Sequence, residues 1–329
     1  MSEFRSIFQT ELAEYLALRR KTYAPETYLN RYYILAGFDR YLASIGLAEK
    51  TVTEGMANGW IAQLPESNSP RTISEKVSVL RKFLEYLRYC GYSVFVPGCP
   101  RYSDDYVPYL YSDDEVEKLF AAADYLEPED CRPQNPRLCY EMPMLLRLLY
   151  GCGLRLGEAL SIRMDDVNLD DATLLLKNTK YKKQRIVPMS ENLSEMLRRY
   201  CVALRLVGKP SAFLFPTDDP SKHLHTSVAS RMFKRILKTA GVYVEPEPHK
   251  RGQCLHCFRH LFTIKSFAQA ERSGRPVSDS VPFLSVYLGH FDMDGTEKYL
   301  KFSGDMFPEH TEMFEAYANG VFPGVVYEE

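Results

Sequence analysis

The 329-residue sequence has no run of about 18 apolar residues, which excludes a bilayer-spanning helix. Its first twenty residues, MSEFRSIFQTELAEYLALRR, lack the continuous apolar core and small-residue cleavage site of a signal peptide. A cytoplasmic protein is therefore expected. No internal repeat and no low-complexity tract is present. Positive charge is missing after Lys301, and residues 303–329 carry six acids. The eight cysteines come without a secretion signal, so free thiols in a reducing compartment are expected rather than disulfides. Cys254 and Cys257 form a CxxC pair that has no second pair to complete a zinc framework.

A net charge of −2 argues weakly against a nucleic-acid partner, but its distribution argues back. Residues 1–102 hold 13 Lys/Arg and 10 Asp/Glu, a net of +3. A near-neutral protein binds DNA when its basic groups share one face. The chain is also long for one core and predicts two domains, 1–105 and 106–329.

Apolar spacing predicts four helices in the first hundred residues, over Phe8–Leu18, Tyr28–Leu42, Val52–Leu64 and 71–91. In the last, Ile73, Val77, Leu80, Leu84 and Leu87 line one face, and Gly91 is a plausible stop. Residues 92–112 read as a proline-containing linker. Ser112 and Glu115 then form a capping box. Beyond it, helices are expected at 113–123, 143–151 (with Pro143 in the first turn), 157–162, 190–206, 226–239, 256–270 and 280–289. A β-meander is expected from Val167, Thr173–Leu176 and Arg185–Val187. The fold class is thus an all-α bundle followed by a mixed, mainly helical α/β domain with a small antiparallel sheet.

Four islands carry chemistry: Gly153-Leu154-Arg155-Leu156-Gly157-Glu158, Thr179–Pro188, His256-Cys257-Phe258-Arg259-His260, and Leu288-Gly289-His290 with Tyr299 nine residues on. Each has a bland reading. Arg155 with Glu158 is an ordinary helix-surface pair. The run from Lys180 to Arg185 is a solvated turn. Tyr299 is one of 23 tyrosines. Cys254, His256 and Cys257 invite a zinc reading, and His223 and His225 sit in a loop without an evident partner. Taken together the islands suit phosphodiester cleavage. Two guanidiniums meet the charge of a pentacoordinate phosphate, a phenol forms the covalent link, a lysine protonates the departing oxygen, and a histidine handles the phenol proton.

The ordered set Arg155, Lys180, His256, Arg259, His290, Tyr299 resembles the tyrosine recombinase/integrase family, which includes phage integrases and Xer-type recombinases. GLRLGE, the hairpin lysine before V-P, H-x-x-R and L-G-H each match; the helical N-terminal region matches by architecture only, as a core-binding bundle of SAM-like type. The resemblance implies a metal-free, cofactor-free reaction. Tyr299 would form a 3′-phosphotyrosine, Arg155 and Arg259 would stabilise the transition state, Lys180 would protonate the 5′ oxygen, His256 would act in acid/base transfer, and His290 would bind phosphate. It further implies duplex DNA sites as partner and a homotetramer on DNA, docked through residues 303–329. Site-specific recombination that integrates or excises a mobile element is the expected function. Xer-type dimer resolution, a non-catalytic DNA-binding relative, a related topoisomerase and a zinc-binding regulator are the rivals. Candidate DNA contacts are Arg19, Arg20, Lys21, Lys76, Arg81, Lys82 and Arg88, and on or beside a later helix Lys222, Arg231, Lys234 and Arg235. The polar stretch 272–279 departs from compact members and reads as a surface loop. No room is expected before residue 105 for an additional arm-binding domain.

Overall fold

The computed structural model describes residues 4–64, 68–102, 107–131, 135–177, 184–219, 221–248, 250–290 and 296. Two compact units divide the chain, Met1–Tyr106 and Val107–Glu329.

The first unit is built from helices α1 (Gln9–Arg20), α2 (Pro25–Ser44), α3 (Glu54–Ala62) and α4 (Pro70–Tyr89). Their starts are encoded locally. Pro25 and Pro70 stand in first turns, where a missing N–H costs nothing. Thr53 and Ser69 accept the backbone N–H of Met56 and Thr72. Helix α4 buries Val77, Leu80, Phe83, Leu84 and Leu87 along one face, each worth about 1.5–3 kcal/mol relative to exposure. Gly91, at φ +93°, carries the chain out of α4 in a conformation that a side chain would strain. Residues 92–102 are not a free linker. Val94 bridges Val52, and Phe95 and Val96 pack on the core of this unit. Buried Asp39 accepts the N–H groups of Arg5 and Ser6 at 2.7 and 2.9 Å, tying the first residues to α2.

The second unit holds α5 (Asp113–Asp124), α6 (Leu138–Cys152), the short α7 (Leu156–Leu160), α8 (Glu191–Ala203), α9 (Thr226–Thr239), α10 (His256–Arg272) and α11 (Val277–Leu288). Three strands, β1 (Val167–Asn168), β2 (Thr173–Leu176) and β3 (Arg185–Pro188), pair antiparallel in that order. Alternation sets the register. Leu174 faces Val187 across the pair, both fully buried, while Ile186 points to solvent. The Ser112–Glu115 capping box starts α5 as expected. The core centres on α6 and α10: Met142, Leu145, Leu146 and Leu148 are fully buried, and Phe258 meets the rings of Tyr111, Phe120, Tyr150 and Phe233.

Three expectations are corrected here. Helix α6 begins at Leu138, so Pro143 lies inside it rather than in its first turn. The proline removes one early helical hydrogen bond, and the dense apolar burial on both sides of it outweighs the loss. Residues 272–279 are not a loop: α10 runs to Arg272 and α11 starts at Val277, leaving a four-residue turn that Gly274 makes at φ +77°. His225 is not idle either, since its Nδ1 caps α9 by accepting the Ser227 N–H.

Helix α6 also buries Glu141 completely. Burial raises its pKa to about 8, against the opposing attraction of Arg137. The folded state therefore holds this proton more tightly than the unfolded chain. Stability from this group is complete below pH 4.5 and is lost as pH rises through 8. Glu141→Gln is expected to stabilise the protein by about 4 kcal/mol at pH 8, with the gain vanishing toward pH 4.5. Denaturant midpoints across that range check it; a pH-independent difference would contradict the assignment.

Candidate active site

The site forms where two chain reversals meet, and each is made by the sequence for a local reason. Helix α6 ends on Gly153 at φ +60°, where the Phe262 ring fills the space a Cβ would need. Helix α11 ends on Gly289 at φ +65°, where a Cβ would lie 2.8 Å from the Arg185 guanidinium. These are the glycines of G-L-R and L-G-H. Their turns aim carbonyl oxygens that a helix end leaves without partners into one small volume.

Two guanidiniums collect those oxygens. Arg259, 1% exposed, donates to Gly153 O and Leu288 O, both at 2.8 Å, and lies 3.0 Å from His290 Nε2. Arg155 donates to Leu288 O at 3.3 Å and Gly289 O at 3.1 Å. Leu288 O thus serves both arginines. Two like charges this close repel, and the negative end of α11 offsets that repulsion. His290 Nδ1 sits 2.6 Å from Thr296 Oγ1, which orients the ring.

Glu158 is the second counterweight. It is buried and accepts from Arg155 at 2.8 Å and from Arg185 at 3.1 and 2.8 Å. Burial alone would raise its pKa, but the Arg185 hydrogen bonds and charge, joined by Arg155, hold it at about 2. The carboxylate is therefore ionised at every physiological pH. The bland reading of Arg155 is half right: it does pair with Glu158, but it also reaches α11. Arg185, read as part of a solvated turn, is only 12% exposed in its side chain and belongs to this cluster. The signal was its parity with Val187, since both lie on the inward side of β3.

His256 opens α10, with its ring centroid 4.7 Å from that of His260. Burial, then the charges of Arg259, Arg155 and Arg251, push its pKa down to about 4, so the imidazole is neutral at pH 7. Lys180 and Tyr299 lie outside the described residues. Of the six candidate residues the structure brings Arg259 against His290 and sets Arg155 and Arg259 on the same Leu288 carbonyl, with His256 one turn before Arg259 on α10. Among the described residues no group of three or more His, Cys, Asp or Glu is placed to hold a metal. A phosphate oxygen entering here would meet cations held in place by their hydrogen bonds, which is the arrangement that stabilises developing negative charge.

The model of the Phage integrase family matches residues 110–303. The chain belongs to that family. It is a tyrosine recombinase by kinship, and site-specific DNA recombination and DNA binding are what that kinship supports. Tyrosine recombinase XerC of Oceanobacillus iheyensis is 27% identical over 320 residues, covering 93% of this chain and 95% of that one. Among solved structures, XerH bound to palindromic difH substrate in a post-cleavage complex aligns with TM-score 0.65 at 17% identity, covering 96% and 91%. A lambda integrase tetramer bound to a Holliday junction aligns with TM-score 0.62 at 16% identity, covering 88% and 79%. Both structural likenesses concern the fold: a mainly helical family member with a small antiparallel sheet.

The candidate DNA contacts are surface groups in varied states. Arg19 and Arg20 are exposed at the end of α1, Arg19 lying 5.3 Å from the Tyr15 ring. On α4, Lys76 donates to Asn68 at 3.1 Å, Arg81 pairs with Glu85 at 3.6 Å, and Lys82 is exposed. Helix α9 buries Ala229, Met232, Phe233, Ile236 and Leu237 and turns Arg231, Lys234 and Arg235 outward. Arg235 is held by Asp130, and Lys222, in the preceding loop, pairs with Asp219 at 2.9 Å.

Proposed function

We propose that this chain is a tyrosine site-specific recombinase that cuts and rejoins duplex DNA through a 3′-phosphotyrosine at Tyr299, integrating or excising a mobile element. The sharing of Leu288 O by Arg155 and Arg259, beside His290, carries the reading, because it gathers two guanidiniums and an imidazole around one carbonyl. In this reaction Tyr299 attacks the scissile phosphate. Arg155 and Arg259 bind its nonbridging oxygens, with His290 as a further donor. His256, neutral at pH 7, accepts the phenol proton, and Lys180 protonates the leaving 5′ oxygen. The phosphotyrosine conserves the bond energy, so rejoining needs no nucleotide cofactor, and the guanidiniums supply the charge a metal would otherwise bring.

The proposal extends to domains and partners. Residues 1–105 serve as a SAM-like core-binding domain and 106–329 as the catalytic domain. The exposed cations of α1, α4 and α9 meet phosphates. The active form is a homotetramer on two sites, a reading the lambda integrase tetramer supports by likeness of fold. Residues 303–329, outside the described residues, dock it. The place of action is the cytoplasm; among the described residues no helix is long and apolar enough to cross a membrane.

The test is a nicked suicide substrate from the flanks of the gene's own locus, incubated in EDTA and resolved on a denaturing gel. A protein–DNA adduct whose linkage maps to Tyr299 by mass spectrometry is expected. Binding without an adduct would favour a non-catalytic relative, and linkage at another tyrosine would overturn the assignment. Because His256 titrates near 4, the cleavage rate should not fall through its protonation between pH 7 and about 5. An acid limb with a midpoint above pH 6 would contradict its role as proton acceptor.

A further inference from the structure

Cys254 and Cys257 bracket His256, and no step of the recombination chemistry uses them. Their sulfurs lie 3.6 Å apart. Cys254 is partly open to solvent, whereas Cys257 is buried beneath it. Cys257 stands in the first turn of the 17-residue helix α10 and Cys254 two residues before it, and the backbone N–H groups of His256 and Cys257 turn toward the Cys254 sulfur, that of Cys257 also donating to the Cys254 carbonyl at 3.0 Å.

We propose that Cys254 and Cys257 are a reversible dithiol–disulfide site, oxidised by hydroperoxides, whose closure restrains His256 and slows strand cleavage. The geometry assigns the roles. The exposed sulfur is the one a peroxide can reach, and the buried one is within a small shift of it. The chemistry agrees: hydrogen bonding from the Cys257 thiol, then from backbone N–H groups, holds the Cys254 thiol below its ordinary value despite its burial, while Cys257 is pushed up. Burial raises the thiols of Cys131, Cys139, Cys152 and Cys201, which makes them poor nucleophiles at neutral pH.

The steps balance. The Cys254 thiolate attacks the peroxide O–O bond, giving a Cys254 sulfenic acid and an alkoxide that takes a proton from water. The Cys257 thiol then displaces the sulfenic oxygen; its proton leaves with that oxygen as water, and the S–S bond forms. Two thiols lose two electrons and the hydroperoxide gains them. Closure shortens the sulfur separation from 3.6 Å to about 2.05 Å. The ring it completes contains Leu255 and His256, so the contraction is delivered to the imidazole. Its effect on cleavage rests on the recombinase reading above, whereas the disulfide itself does not.

The experiment treats the reduced full chain with hydrogen peroxide, alkylates remaining thiols, and maps peptides by mass spectrometry alongside the suicide-substrate assay. A Cys254–Cys257 disulfide, reversed by dithiothreitol while the other cysteines stay alkylatable, is expected. Oxidised protein should cleave about tenfold or more slowly, in line with the cost of about 1 Å misplacement at a reacting group. Cys257→Ala, unable to close the ring, should instead accumulate a dimedone-reactive Cys254, and the double variant Cys254→Ser/Cys257→Ala should cleave at the reduced rate with or without peroxide. Two alkylatable thiols after peroxide, or a disulfide that leaves cleavage unchanged, would overturn the proposal. If reduced protein forms no adduct at all, the recombinase reading fails, and the peptide map alone then decides the dithiol site.

Discussion

Arg259→Lys is expected to lower the rate of phosphotyrosine formation by about a hundred- to a thousandfold, the cost of removing one fixed donor from a charge-stabilising site. The substitution keeps a positive charge, so Coulombic attraction alone does not explain the loss. What it removes is shape. The guanidinium holds Gly153 O and Leu288 O at once, with His290 at 3.0 Å. An ammonium group is a single point on a flexible stem and cannot span those directions. DNA affinity should change little, because affinity is spread over many phosphate contacts. Stability should fall by about 1–3 kcal/mol, since one buried carbonyl loses its donor. Single-turnover cleavage of the nicked substrate, beside a binding isotherm, separates the two. A rate within a few fold of the unsubstituted protein would show that the site acts through net charge, and a parallel collapse of binding would show that Arg259 is structural.

This cluster also shows what the sequence could and could not reveal. Arg155 and Arg259 were legible because each sits in a motif fixed by backbone geometry: glycine in the left-handed region beside Arg155, and helical spacing between His256 and Arg259. The helices were legible from apolar spacing, and the Ser112–Glu115 box from its capping chemistry. Arg185 was not, because its ion pair with Glu158 spans 27 residues and local charge patterning reports only near neighbours. The interior proline of α6 misled for a related reason. A local rule places proline at a helix start, while burial of Met142, Leu145 and Leu146 decides where the helix begins. The turn after Arg272 was read as a long loop since its polar residues hide an early α11 whose inward face is Ser280, Val281 and Ser285.

The second large effect concerns Glu158, which touches no substrate in the proposed reaction and acts by positioning. Glu158→Ala is expected to cost about 3–5 kcal/mol of stability, because it strips the partner from two cations in a mostly buried cluster. Glu158→Gln isolates the charge from the volume. An amide can still accept from Arg185 or Arg155 through its oxygen, but its nitrogen faces a guanidinium as a second donor. Stability should therefore fall by less than for alanine, while the rate of cleavage falls for both, as Arg155 swings away from Leu288 O. The pH response gives the signature a mere packing role would lack. The folded pKa, about 2, lies below the ordinary 4.5, so the ion pair's contribution is complete above pH 4.5 and is lost as pH falls toward 2. Between those values the unsubstituted protein should lose stability steadily, and Glu158→Gln should lose correspondingly less. Chemical denaturation of both proteins across that interval measures the difference. Parallel curves would mean that the carboxylate is not held ionised by its two arginines, and the balance of charge on which the phosphate seat depends would have to come from the end of α11 alone.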